Sequence, residues 1–179
     1  MRNRLLLQRF TPLCASAQTV LVVEPQAGEC ALFDPLPDAA LLDGIEDTIR
    51  LNRLSLSWVL FTAGSVDGFR AGQQLQRRMV ATRLGIGTLA QRAMHNCAAA
   101  TGAQDLLPER LFEEEERVQI GSCFASVQHV TDGERIRSGY VFEDFALFGC
   151  APKTARLLRE RPFAPCPLRK ALQPEVAAA

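Results

Sequence analysis

The chain has 179 residues, 47% of them apolar and 22% charged, which is the composition of a folded domain and excludes a disordered or fibrous chain. Its 20 Lys and Arg balance 20 Asp and Glu, so no global positive field exists to gather nucleic acid or anionic lipid. No apolar run approaches the roughly 20 residues that span a bilayer, and neither nucleic acid nor membrane is expected as a partner.

Leu5-Leu6-Leu7 behind Arg2 and Arg4 imitates the start of a signal peptide, but Gln8 and Arg9 interrupt it, so the mature chain is expected to start at Met1. Val20 to Glu24 and Cys30 to Phe33 are β-rich runs around the turn Pro25-Gln26-Ala27-Gly28, which places antiparallel strands joined by a hairpin over residues 4 to 34. Behind Asp38, Leu41, Leu42, Ile45 and Ile49 recur at helical spacing, and Ser57 to Phe61 reads as a buried strand. After the polar loop Thr62 to Gly68, the residues Phe69, Gly72, Leu75 and Met79 mark one face of a second helix.

Ala81 to Ile86 is a short strand. Thr88 with Gln91 three residues on has the form of a capping box, and Leu89, Ala93 and Cys97 carry a third helix to about Ala100. Past Pro108 the pattern turns to short strands: Arg117 to Ile120, Cys123 to His129, Ile136 to Phe142 and Phe145 to Phe148. A single domain over residues 1 to 160 is predicted. The prolines at 162, 165, 167 and 174 then mark an irregular tail over 161 to 179, with one short helix at Leu168 to Leu172.

Six cysteines (Cys14, Cys30, Cys97, Cys123, Cys150, Cys166) are dispersed without a C-x-x-C pair, which reads as reduced thiols in a cytoplasmic protein. Only two histidines exist, and His95 reads as a surface residue on a helix. Glu113 to Glu116 reads as a solvated turn, and Gly85-Ile86-Gly87 lacks the third glycine of a dinucleotide fingerprint. Ser65 has no evident base beside it for nucleophilic catalysis.

The element order and two short matches carry a resemblance. Gly28-Glu29-Cys30-Ala31-Leu32 and Phe33-Asp34-Pro35, followed by helix, strand, polar loop and helix, resemble the metallo-β-lactamase superfamily over most of residues 5 to 151. Within it, the persulfide dioxygenase and glyoxalase II branch looks most similar. The resemblance implies an αββα sandwich of two mixed sheets flanked by helices. It also implies a pocket at the strand end carrying Thr62 to Gly68, bordered by His129 to Gly133 and by Cys150.

That family holds its metal with a Thr-His-x-His-x-Asp-His loop. The matching stretch here is Thr62-Ala63-Gly64-Ser65-Val66-Asp67-Gly68, so the three imidazole positions hold Ala63, Ser65 and Gly68. In the favoured register the later His position is Gly133 and the bridging Asp position is Cys150; in a second register His129 and Asp144 become ligands, with Ser65 still in the third place. Side chains of Ala and Gly cannot ligate, and tight sites need three or four convergent ligands. No bound metal and no cofactor are expected.

Two function classes follow. In the first, Thr62, Ser65, Asp67, His129 and Cys150 line a metal-free pocket for a small molecule or protein, and the chain acts in binding or as an interaction subunit. The second is an enzyme with an unorthodox site, either a reduced metal centre or Cys150 with His129 as base, the catalytic candidates being Asp67, His129 and Cys150. The resemblance also implies that a member this short lacks a C-terminal strand and helix, leaving a face for a partner or a second copy. An unrelated α/β module is the third reading.

Overall fold

A computed structural model describes residues 5–12, 17–101, 106–132, 135–143 and 145–149. Along the chain run β1 (Leu6–Phe10), β2 (Thr19–Glu24), β3 (Glu29–Phe33), α1 (Ala39–Leu51), β4 (Ser55–Phe61), α2 (Val66–Arg78), β5 (Arg83–Gly87) and α3 (Thr88–Thr101). There follow β6 (Arg110–Phe112), β7 (Arg117–Ile120), β8 (Cys123–Asp132), β9 (Arg135–Val141) and β10 (Ala146–Leu147). The expected tail and its short helix, together with Asp144 and Cys150, lie outside the described residues.

Strands β1 to β6 form one sheet in sequence order, antiparallel through β3 and parallel from β3 to β6. The parallel pairs need crossovers, and α1, α2 and α3 supply them. Asp38 caps α1, its carboxylate accepting from the Leu41 N–H at 3.1 Å, as the sequence pattern required. Leu42, Ile45 and Ile49 of α1, Phe69 and Leu75 of α2, and Ala90 and Met94 of α3 all join one core with Leu21, Leu32, Val59 and Ile86 of the sheet. All three described helices therefore cover the same face.

The other face packs on a second sheet of order β10-β9-β8-β7. Val20, Ala31, Phe33, Trp58 and Leu60 meet Val118, Ile120, Val127, Tyr140 and Leu147 there in a second core. Because both faces of β2 are covered, every one of its six residues is buried, without the alternation of a one-sided strand. The two-sheet sandwich is as expected. Only the larger sheet is mixed, however; the second is antiparallel throughout, because its strands are consecutive and pair as neighbours.

Three details differ from the sequence reading. β6 is a three-residue strand that periodicity could not distinguish from the loop around it. The predicted capping box at Thr88 and Gln91 does not form. Thr88 is the first helical residue of α3, its hydroxyl donates to Glu113 Oε2 at 3.1 Å, and Gln91 Nε2 faces His95 Nδ1 at 3.5 Å. Finally, Glu113 to Glu116 is not merely solvated, since its carboxylates reach Thr88, Arg110 and the His129 backbone.

Candidate functional site

The carboxyl ends of β3, β4 and β5 open at one edge of the sandwich, where loops leave a parallel sheet and ligands commonly bind. Asp34 organises this edge. It sits just past β3 with φ of 49°, a left-handed conformation that Asp tolerates better than most residues. Its N–H donates to the Leu60 carbonyl at 3.0 Å, and its own carbonyl accepts from Thr19 Oγ1 at 2.9 Å. Its carboxylate takes the Thr62 N–H at 2.7 Å and the Thr62 hydroxyl.

Thr62 is buried, and its carbonyl accepts from the Ser138 N–H of β9 at 2.7 Å. Ala63 pairs with Arg137 as an isolated antiparallel bridge. Next to it, the Tyr140 hydroxyl donates to the Phe61 carbonyl at 3.2 Å. Complete burial pushes the Tyr140 phenol well above its ordinary value, and the nearby Asp34 charge adds to this. The two sheets are thus stitched together at the start of the 62–68 loop.

Ser65 caps α2, its hydroxyl accepting from the Gly68 N–H at 3.2 Å. Asp67 lies in the first turn of α2, its side chain 72% exposed and 3.9 Å from Arg70. Helix α3 presses on this loop from above: a Cβ at Gly64 would stand 2.5 Å from both the Ala90 carbonyl oxygen and the Met94 nitrogen. Gly68 is also close-packed, a Cβ there meeting the Pro35 carbonyl oxygen at 3.2 Å.

His129 is directly opposite Ser138 in the β8–β9 ladder. Its imidazole is only 10% exposed, with Nε2 at 3.4 Å from Thr88 Oγ1 and 3.9 Å from Glu114 Oε2. The same Glu114 oxygen accepts the His129 backbone N–H at 2.6 Å. Thr88 Oγ1 thus stands between Glu113 Oε2 and His129 Nε2, within reach of both. His129 Nδ1 and Ser138 Oγ are both buried without a hydrogen-bond partner, and both converge on Gly87, where a Cβ would overlap the hydroxyl and approach His129 Cε1 to 2.9 Å.

Serine, imidazole and carboxylate in one place invite comparison with a hydrolytic triad. Ser138 is fully buried, however, so no substrate reaches its hydroxyl, and the group reads as packing between β5, α3 and β8. Of the residues singled out from sequence, Thr62 and His129 flank Ser138 on one seam, through its backbone N–H and its ladder position respectively. Ser65 and Asp67 stand on the start of α2, with Asp67 turned to solvent; Cys150 lies outside the described residues. The contributions of Thr88, Glu114, Ser138 and Gly87 carried no sequence signal, because they arise from strand register and a tight turn into α3.

The metal implied by the family motif does not fit these residues. Ala63 and Gly68 offer no donor, Ser65 Oγ is occupied as a cap, and His129 is held by Thr88 and Glu114. Among the described residues, no three His, Cys, Asp or Glu side chains converge in a way that could hold a metal ion.

No protein-family model matches this chain, and no curated protein matches its sequence. Solved structures do match its fold. A metallo-β-lactamase from Staphylococcus aureus superposes with a TM-score of 0.59 at 13% identity, over 77% of this chain and 37% of that one. ETHE1 from Myxococcus xanthus gives 0.58 at 16%, over 79% and 55%. The BLEG-1 B3 metallo-β-lactamase gives 0.60 at 15%, over 77% and 68%. The first two of these structures are thus matched over little more than half of their length or less. Two sheets packed face to face, three crossover helices on the larger one and these superpositions give the chain the metallo-β-lactamase fold.

Proposed function

We propose that this chain uses the metallo-β-lactamase fold for binding rather than for metal-dependent catalysis, with a small molecule or a protein as its ligand. The observation that carries this reading is the 62–68 loop. Ala63, Ser65 and Gly68 stand where the family motif has imidazoles, and the backbone of α3 lies so close to Gly64 that the loop has little room to rearrange. Water activation by a metal depends on several ligands that fix it and lower the pKa of its bound water, and this loop supplies no imidazole, only the solvent-facing carboxylate of Asp67. The proposed ligand-binding face is the strand end with Thr62, Ser65, Asp67 and His129, to which the sequence register adds Cys150.

Elemental analysis of protein purified without chelator, together with hydrolase and dioxygenase assays, tests the reading. Well under one zinc or iron per chain is expected, with turnover at the level of buffer. Stoichiometric metal that is lost in His129→Ala together with activity would overturn it. Activity that survives chelation but disappears in Cys150→Ser would assign thiol chemistry instead.

A further inference from the structure

No further inference is drawn: the strongest candidate, the side-chain cluster in which the unpartnered His129 Nδ1 and Ser138 Oγ pack on Gly87 where β5 passes into α3, belongs to the site already described, and its fully buried serine is closed to a ligand.

Discussion

The carboxylate of Asp34 holds Thr62 by two groups at once, its backbone N–H at 2.7 Å and its hydroxyl, and so ties the end of β3 to the end of β4. Hydrogen bonds to a charged acceptor contribute about 1.5–3 kcal/mol each when one partner is lost. Asp34→Leu is therefore expected to destabilise by about 3 kcal/mol in urea unfolding, with an added strain cost at φ of 49°. Asp34→Asn should cost less, because Asn tolerates that conformation and keeps one acceptor oxygen. A double-mutant cycle with Thr62→Val should return a coupling of about 1 kcal/mol or more.

Two glycines give opposite signs. At Gly64 a Cβ would stand 2.5 Å from backbone atoms of α3, which cannot rotate away, so Gly64→Ala should destabilise by about 2 kcal/mol or more. Gly44 lies inside α1 with nothing within 4 Å of its would-be Cβ, so Gly44→Ala should stabilise by about 0.5–1 kcal/mol. Denaturation midpoints of the two variants beside wild type check both. A Gly64→Ala protein as stable as wild type would show that α3 is free to lift off the loop.

Much of this organisation was legible in the sequence because it rests on local signals. Asp38 before an apolar helical stripe gave α1 and its cap, the Pro25 to Gly28 turn gave the first hairpin, and Ala63, Ser65 and Gly68 were readable directly as residues without metal-ligating imidazoles. What was not legible depends on distance in the chain. Thr88 looked like a cap, yet its hydroxyl goes to Glu113, 25 residues later. His129 looked solitary, yet strand register sets it opposite Ser138, and the loop before β7 brings Glu114 to it. Pairings of this kind leave no periodic trace.

Alkaline stability should fall through two buried groups. Burial, with a contribution from the Glu29 charge, pushes the Cys30 thiol from 9.0 up to about 12. A folded value above the unfolded one means that its stabilisation is complete below pH 9 and is lost as pH rises toward 12, because only the unfolded chain releases the proton in that window. Buried Tyr140 is shifted the same way and steepens the loss above pH 10. Urea midpoints measured from pH 8 to 11 should decline, and less so in Cys30→Val. In the folded protein at pH 8, thiol reagent should label exposed Cys97 well before Cys30.

Trp58 offers both a test of the contact between the sheets and a way to read it. Its indole N–H donates to the Gln119 carbonyl of β7 at 3.1 Å, its ring meets Phe112 edge-on at 5.5 Å, and Arg83 lies over it at 3.9 Å. The hydrogen bond joins a central strand of one sheet to an edge strand of the other. Trp58→Phe keeps an aromatic ring but leaves the Gln119 carbonyl without its donor and vacates part of the core, so a loss of about 2 kcal/mol is expected. Arg83→Ala removes only the exposed stacking partner and should cost about 0.5–1 kcal/mol. Trp58 is the single tryptophan and is 5% exposed, so its emission should be blue-shifted in the folded chain and move to the red on unfolding. A wild-type-like midpoint for Trp58→Phe, followed by far-UV circular dichroism, would show that the two sheets are held by their apolar faces alone, without need of this cross-sheet bond.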